Sequence, residues 1–413
     1  MSERQWKIFD VMKRLGSGLL TTAQAAQVLG LSTRQVRRIR RFVEEEGKQG
    51  VMHGNAGRAP VNRASTTTRA LVMRLFRTKY AGFNDQHFTE KLVEVEGIAI
   101  SRASVQRVLR AGGLAATRTR RERKHRRRRD RKAQAGLMML WDGSIHDWLE
   151  GRGPKLCLMG AIDDATGELL PGAHFVEQEC AAGYLRVLLE IAKDKGLPCS
   201  GYMDQHSSLR RNDPHWTLEE ELRGEQDPTQ VGRALKALEV EVIFALSPQA
   251  KGRVERLWGT LQDRLVSELR LAKARTREQA QAVLERFRHD FNGRFTVEAK
   301  DVTPAWRTVR KTLELDRVCS FHYAATVLND NTVRLSGQVF DIPPGPGGRS
   351  YARAAAEVRQ LLDGTWRIYV DNQLVATAPT SELGDLRAKK QRKRPAASRA
   401  FRKAVNNMSP SLP

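Results

Sequence analysis

Residues 238–265, LEVEVIFALSPQAKGRVERLWGTLQDRL, contain the pattern that decides the fold of the longest part of the chain. Residues 238–246 are rich in β-branched side chains and predict a strand, which Pro248 follows. From residue 251 to about residue 270 the apolar side chains recur at helical spacing. The apolar face of this predicted helix consists of Val254, Leu257, Leu261 and Leu265.

The residues before this pair of elements predict strands, turns and one helix. Three apolar runs predict strands, an amphipathic stretch predicts a helix, and a short apolar run predicts a fourth strand. In chain order these are residues 137–141, 155–162, 169–176, 184–192 and 201–204. The order indicates a hairpin meander followed by crossover units, so we expect an α/β domain over residues 136–300.

Three acidic residues fall at the ends of these predicted elements. Asp142 ends the first strand, Asp204 ends the fourth, and Glu255 lies at the start of the last helix. If the first and fourth strands are parallel neighbours, the three carboxylates converge at one edge of the sheet. Such oxygen ligands favour Mg²⁺, and two ions roughly 4 Å apart can clamp a phosphoryl transfer. Each acid taken alone is more typical of a turn or a helix cap.

Other residues compete for roles at this edge. Asp147 lies beyond the apolar run and is predicted to face solvent. Asp163 and Asp164 belong to DDATG, which is typical of a β-turn and not of a metal site. His206, two positions after Asp204, fits a DNA contact, the orientation of a ligand or a structural role.

The net charge of +24 over 413 residues is concentrated in two arms. Residues 1–135 carry +20, residues 136–380 carry −3 and residues 381–413 carry +7. Segregated positive charge indicates a nucleic acid as the partner, and the partner expected for this chain is double-stranded DNA. At 40% hydrophobic residues the chain is not of the disordered class. The apolar runs are too short for a membrane span, and the N-terminus lacks the pattern of an export signal. The four cysteines are scattered, which argues against a zinc finger.

Residues 1–50 predict three short helices. The third follows a capping box of Ser32 and Gln35, and Val36, Ile39 and Val43 form its apolar face. A helix, a glycine-containing turn and a basic helix indicate a helix-turn-helix domain, whose last helix enters the major groove. An ordinary helical hairpin with a solvated basic face is the alternative.

Two further segments extend the basic region beyond a linker at residues 51–66. Residues 67–116 predict a second helical domain, either helix-turn-helix-like or a plain bundle. Residues 117–135 form a basic linker, and 11 of the 15 residues at 118–132 are Lys or Arg. This run is expected to bind phosphate with little sequence information. The residues predicted to bind DNA are Arg34, Arg37, Arg38, Arg41, Arg102, Arg107, Arg120, Arg121, Arg127, Arg128, Lys251 and Arg253.

Three segments resemble the DDE transposase and retroviral-integrase superfamily, whose core is ribonuclease H-like: WDGSIHDW (141–148), GYMDQHS (201–207) and SPQAKGRVERLWGTLQDRL (247–265). The run DGSIHDWLEGRGPK, followed by AIDDATG, is similar to the ISNCY group of bacterial insertion-sequence transposases. The resemblance implies that Asp142, Asp204 and Glu255 are the catalytic, metal-binding triad. The last two acids are 51 positions apart, more than is usual in the superfamily, so residues 209–230 are interpreted as an insertion.

The C-terminal part of the chain changes character. DFNGRF at 290–295 and VTPAW at 302–306 resemble the segment that closes the catalytic core in this superfamily. Residues 318–380 alternate between strand and turn patterns and predict a small β-barrel. Residues 381–413 are interpreted as a basic, flexible tail that binds phosphate.

The chain is therefore expected to be a multidomain α+β protein with N-terminal helix-turn-helix modules, a ribonuclease H-like α/β catalytic core and a small C-terminal β-barrel. The resemblance implies a DNA transposase that cleaves and joins insertion-sequence ends with two Mg²⁺ or Mn²⁺ ions per site. It implies a homodimer or larger assembly on paired ends, and we expect a cytoplasmic, nucleoid-associated protein with no membrane contact and no nucleotide cofactor. A sequence-specific DNA-binding regulator with an inactive core is the alternative, and a nuclease that cuts without joining is a third possibility.

Overall fold

The computed structural model describes residues 1–52, 55, 63–116, 129–211, 216–245, 252–310 and 314–386. The chain divides into two compact units. The first comprises residues 1–72 and 103–108, and the second comprises residues 73–102 and 109–413. Among the described residues, none of the helices is both long enough and apolar enough to cross a membrane.

The first unit begins with the three predicted helices, α1 (Glu3–Gly16), α2 (Thr22–Leu29) and α3 (Thr33–Glu46). Each begins with a capping box, and the one before α3 pairs Ser32 with Gln35 as expected. Gly30 ends α2 in the left-handed region, at φ +62°, where glycine is favoured. A small apolar core holds the three helices together: Val11, Met12, Leu15, Ala25, Ala26 and Val36.

Three more helices follow, α4 (Thr66–Thr78), α5 (Asp85–Glu94) and α6 (Arg102–Ala111). They form the helical segment predicted over residues 67–116. Helix α5 begins at Asp85 because the Asn84 side chain accepts a hydrogen bond from the main-chain N–H of His87 and caps the first turn.

The centre of the second unit is a five-stranded sheet of β1 (Met138–His146), β2 (Leu156–Asp163), β3 (His174–Val176), β4 (Ser200–Met203) and β5 (Glu241–Phe244). Its strand order is β3-β2-β1-β4-β5. The first three strands are antiparallel neighbours, whereas β4 runs parallel to β1 and β5 runs parallel to β4. The predicted meander followed by crossover units is therefore present.

Helices cover both faces of this sheet, which makes a three-layer α/β core. One apolar cluster joins Met139 and Trp141 to α7 (Ala181–Asp194) and α9 (Gln230–Ala237). The other joins Met138 and Leu140 to α10 (Gly252–Leu271) and α11 (Arg277–Phe295). Alternate residues of β1 point to opposite faces, as in any strand. The predicted face of α10 is correct, since Val254, Leu257, Leu261 and Leu265 are all buried in the second cluster.

Three strands differ in length from the prediction, and one of them is the strand expected over residues 238–246, which is observed as β5 at Glu241–Phe244. The first strand was expected to end at Asp142, but β1 continues to His146 because its antiparallel pairing with β2 runs on to the pair His146–Leu156. The parallel pairing of β1 with β4 stops earlier, at Leu140–Tyr202. The third strand is shorter than expected, and only an isolated bridge at Leu169 remains of its first half.

The segment at 302–306 packs where the central sheet begins. The Ala305 N–H donates to the Ala135 carbonyl oxygen at 2.7 Å. Trp306 lies against Gly136, where a Cβ atom would approach its ring to within 2.7 Å. Gly136 also has a φ of +86°, so only glycine suits this approach.

The interpreted insertion at 209–230 contains a helix of its own, α8 (Leu218–Arg223). Glu220 is fully buried and accepts hydrogen bonds from the Thr217 and Asp227 N–H groups and from Arg211. The two N–H groups lower the pKa of Glu220 to about 2. The segment is therefore folded on both sides of residues 212–215, which lie outside the described part.

The C-terminal strands form an open sheet in place of the predicted barrel. After α12 (Leu315–Val318), the antiparallel sheet β11-β10-β9-β6 is built from β6 (Phe321–Thr326), β9 (Ala355–Gln360), β10 (Trp366–Val370) and β11 (Gln373–Ala378). A separate hairpin pairs β7 (Thr332–Leu335) with β8 (Gln338–Asp341). The hairpin packs Phe340 on Trp366, with ring centroids 5.1 Å apart, and does not join the ladder. Among the described strands the sheet is therefore not closed, and most of the predicted tail lies outside the described residues.

Helix α5 is fixed to α10 by charged groups. Glu268 accepts from His87 and Lys91, each at 2.7 Å. The Nη1 and Nη2 groups of Arg264 donate hydrogen bonds to the two carboxylate oxygens of Glu90, at 2.6 and 3.0 Å. Burial alone would raise the pKa of Glu90, but the hydrogen bonds from Arg264 outweigh it and the pKa is lowered.

Replacing Glu90 with Gln should lower the free energy of unfolding by about 2 kcal/mol, because it leaves the buried Arg264 without its counter-charge. The matched control is Glu94→Gln on the same helix, whose carboxylate is about half exposed and which should cost less than about 1 kcal/mol. Urea unfolding at neutral pH measures both. Since the folded pKa of Glu90 is lowered, the difference between wild type and variant should shrink as the pH falls through that pKa. Equal losses in the two variants would contradict the role given to Glu90.

Candidate active site at the edge of the central sheet

Asp142 and Asp204 occupy equivalent positions on neighbouring parallel strands. The last β1–β4 pair is Leu140–Tyr202, and each aspartate lies two residues beyond it. Asp204 directly follows β4, whereas Asp142 lies inside β1, just where that strand loses its parallel partner. Residues at equal positions beyond the same pair lie side by side at one edge of a parallel sheet. Both side chains are half-buried.

Helix α10 crosses this edge. The Trp258 indole N–H donates to Asp142 Oδ2 at 3.0 Å, which ties the helix to the aspartate. Glu255 lies three residues before Trp258, one turn closer to the start of α10, and its side chain is exposed. Positions three apart lie on neighbouring parts of one helix face. The structure therefore places Glu255 on the helix that carries the Asp142 contact.

The three acids do not form a closed ligand set in this structure. Within the described part of the chain, no three His, Cys, Asp or Glu side chains are grouped so that they could hold one metal ion. The two aspartates supply half-buried carboxylate oxygens, which suit Mg²⁺ when water and substrate phosphate complete its shell. Glu255 follows residues 246–251, which are outside the described part.

Glu179 is a third carboxylate near the aspartates that the sequence pattern did not reveal. It accepts a hydrogen bond from the Tyr184 hydroxyl at 2.5 Å and lies 3.4 Å from His206 Nδ1. A Cβ atom on Gly143, the residue after Asp142, would come within 2.9 Å of Glu179 Oε2. Burial and then the negative charges of Glu179, Asp204 and Asp142 raise the pKa of Tyr184. Glu179 lies in an irregular segment just before α7, where no periodic pattern marks it.

The competing residues have structural partners. Asp163 is buried and accepts hydrogen bonds from Gly136 and Thr166, in the predicted turn. The main-chain N–H of His206 donates to Asp204 Oδ1 at 2.9 Å, so the main chain braces that aspartate, while the imidazole lies 3.4 Å from Glu179. Asp147 was expected to face solvent, but it is half-buried and accepts from the Gly151 N–H, because the chain turns tightly after β1.

Asp164 is a buried ion-pair partner. Its carboxylate accepts from Arg129 at 2.6 Å and from Arg253 at 2.5 Å. Arg253 was predicted to bind DNA phosphate, yet two of its guanidinium nitrogens already contact Asp164 and the Arg129 carbonyl oxygen.

The other predicted DNA-binding residues divide into two groups. Six of them have exposed side chains, as a DNA contact requires: Arg34, Arg37, Arg38, Arg41, Arg102 and Arg107. The remaining five lie outside the described residues: Arg120, Arg121, Arg127, Arg128 and Lys251. The outward face of α3 thus carries four exposed arginines, while its inner side packs on α1 and α2.

Comparison with solved structures gives only distant likenesses. An intasome of simian T-cell lymphotropic virus in complex with the PP2A regulatory subunit B56 gamma is 13% identical, with a TM-score of 0.31, and covers 75% of this chain and 100% of its own. The magnesium-bound integrase catalytic core of HTLV-2, in its dimeric form, is 14% identical, with a TM-score of 0.28, and covers 41% of this chain and 94% of its own.

Comparison of sequences gives closer matches. Residues 10–70 match the winged helix-turn-helix family. A Sinorhizobium fredii protein described as a transposase, y4bF, is 38% identical over 297 residues, which cover 72% of this chain and 63% of that protein. The chain thus spans less than two thirds of that relative. The transposase for insertion sequence IS1202 of Streptococcus pneumoniae is 30% identical over 332 residues, which cover 71% of this chain and 69% of that protein. With this identity and coverage, the chain belongs to the family of insertion-sequence transposases.

Proposed function

We propose that the protein is a DNA transposase that cleaves insertion-sequence ends and joins them to target DNA. The observation that carries this proposal is the register of the central sheet. Asp142 and Asp204 lie at equal positions beyond the last β1–β4 pair, and α10, which bears Glu255, is hydrogen-bonded to Asp142. The family supports the same activity, since both sequence relatives are described as transposases.

Asp142, Asp204 and Glu255 are the residues that would hold Mg²⁺ or Mn²⁺, with two ions per site. Bound there, the metal would lower the pKa of an attacking water or hydroxyl and stabilise the leaving oxygen of the DNA phosphate. The protein's own contribution is orientation. Trp258 fixes one carboxylate oxygen of Asp142, and the His206 N–H fixes one of Asp204.

The DNA partner is bound by the helix-turn-helix unit and by basic segments. The exposed arginines of α3 suit a duplex groove, and the winged helix-turn-helix match covers that helix. Because transposition joins two ends, we propose that the chain acts as a homodimer or larger assembly on paired ends. We assign no nucleotide cofactor to this reaction, since phosphoryl transfer between DNA strands conserves the phosphodiester.

A DNA-binding regulator with an inactive core is the second candidate. It is favoured by one observation, namely that Glu255 is exposed and the three acids do not form a ligand group in this structure. Both candidates bind DNA, so only a strand-transfer measurement separates them.

Replacing Glu255 with Gln should abolish cleavage and joining without weakening DNA binding. We expect at least about a hundredfold loss, comparable with the loss of a group that stabilises charge in a transition state. The assay follows labelled duplexes that carry the element's ends, with Mg²⁺ or Mn²⁺ and a target plasmid. Glu285→Gln, an exposed glutamate on α11, is the control and should keep full activity.

The outcomes of this assay separate the candidates. Full activity of the Glu255→Gln variant would show that the third acid lies elsewhere. Binding without reaction by the wild type would favour the regulator. Cleavage without joining would favour a nuclease.

Replacing Trp258 with Phe should weaken Mn²⁺ binding by about tenfold, because Asp142 loses the N–H group that orients it. The matched control is Trp148→Phe, a buried tryptophan whose N–H donates to the main-chain oxygen of Ser144 instead. Calorimetric titration of each purified variant with Mn²⁺ measures the affinity. Equal affinities in the two variants would remove the orienting role of Trp258.

A further inference from the structure

Three arginines from two distant segments gather around one buried aspartate, and two of them bind its carboxylate. Arg129 Nη2 donates to Asp164 Oδ1 at 2.6 Å, and Arg253 Nη1 donates to the same oxygen at 2.5 Å. The Lys132 N–H donates to Asp164 Oδ2 at 2.8 Å. Arg131 Nη1 donates to the main-chain oxygen of Ala165, the next residue, at 3.0 Å. Asp164 thus organises both the end of the basic linker and the start of α10.

The carboxylate of Asp164 is buried, whereas two of the three arginines around it are exposed to solvent. The Asp164 side chain is fully buried, whereas the Arg129 side chain is 45% exposed and Arg131 is also exposed. Arg253, at 15% exposure, lies between them. Burial alone would raise the pKa of Asp164, but the hydrogen bond from Arg129 and the main-chain N–H of Lys132 outweigh it and the pKa is lowered.

Positive charge exceeds negative charge at this place. Three guanidinium groups surround the ionised Asp164, and the exposed Arg256 adds a fourth nearby charge. The pKa of Arg131 is lowered, first by burial and then by the charge of Arg253. The neighbouring Asp163 carboxyl adds at most one more negative charge, so the cations stay in excess. An anion with several acceptor oxygens would relieve the repulsion among these cations, and guanidinium groups bind phosphate in this way.

The cluster lies next to the proposed third acid. Arg253 is in the first turn of α10, two residues before Glu255. Arg129 and Arg131 end the run of eleven basic residues at 118–132. A phosphate held here would therefore link the DNA path of the basic linker to the candidate active site.

We propose that Arg129, Arg131 and Arg253 form a binding site for a DNA backbone phosphate beside Glu255, and that Asp164 is the positioning residue that assembles it. The proposal deepens the proposed function, because it takes DNA to be the substrate. In this site Arg253 contributes to phosphate binding while Asp164 holds its guanidinium group in place.

The variant Asp164→Asn distinguishes the positioning role of Asp164 from its charge, because the two would change DNA affinity in opposite directions. Removal of a negative charge near DNA strengthens binding if charge alone matters. Loss of the buried carboxylate releases the arginines, so the proposal expects weaker binding, by about fivefold. The matched control is Asp130→Asn, an exposed aspartate of the same segment, which should bind slightly more tightly than wild type.

The measurement is the affinity of the full chain for a fluorescent duplex of random sequence, over a series of salt concentrations. Random sequence isolates backbone contacts from the reading of bases. Arg131→Gln should reduce the slope of log affinity against log salt by about one. Arg310→Gln, an arginine with a 78% exposed side chain elsewhere in the same unit, should leave the slope unchanged.

A double-variant cycle completes the test. Once Asp164 is Asn, the further change Arg129→Gln should cost much less than it does in the wild type, since the carboxylate that holds Arg129 is already lost. Far-UV circular dichroism and thermal unfolding check that each variant is folded, and Arg131→Gln tests the site independently should Asp164→Asn fail to fold. Tighter binding by Asp164→Asn to the extent seen for Asp130→Asn, or an unchanged slope for Arg131→Gln, would overturn the proposal.

These results do not depend on catalysis. The Glu255→Gln variant should bind the random duplex at least as tightly as the wild type, because it removes a negative charge beside the site, whether or not either protein joins DNA. A chain that binds as predicted but does not cleave would preserve the phosphate site and reject the transposase activity. A chain that joins DNA but binds equally well with Asp164→Asn would preserve the transposase activity and reject the phosphate site.

Discussion

The parallel pairing of β1 with β4 is the constraint on which the candidate active site depends. The last pair, Leu140–Tyr202, sets Asp142 and Asp204 side by side two residues later. A shift of one residue in this pairing would move one aspartate to the opposite face, because side chains alternate along a strand. The register is fixed by burial on both faces, with Met139 and Trp141 in one core and Met138 and Leu140 in the other.

The position of α10 depends on packing and on two polar contacts. Val254, Leu257 and Leu261 bury the helix against the sheet, and Trp258 connects it to Asp142. Arg253 connects its first turn to Asp164 in the turn after β2. A buried ion pair does little for net stability, but breaking one leaves an uncompensated charge, so such a pair is well suited to specify a position.

The DNA binding proposed for the chain depends on a division of charge. The central segment, residues 136–380, carries −3, so the excess positive charge lies in the flanking segments. The structure adds one place where the two meet, since Arg129 and Arg131 of the basic linker contact the Asp163–Asp164 turn of the core. Helix α5 also connects an N-terminal segment to the core helices. Its acids Glu90 and Glu94 form ion pairs with Arg264 of α10 and Arg294 of α11.

Local patterns in the sequence determined helices α1 to α7 and α10, most of the core strands, the capping box at Ser32 and the buried face of α10, because spacing and caps act over a few residues. They also marked Asp142, Asp204 and Glu255 as candidates. They did not mark α8, α9, α11 or α12. Only the tertiary structure decided that β1 extends past Asp142, that the C-terminal sheet stays open, and that Glu179 and Asp164 gather partners from distant segments. Those features depend on contacts between residues far apart in the chain, which leave no periodic pattern in the sequence.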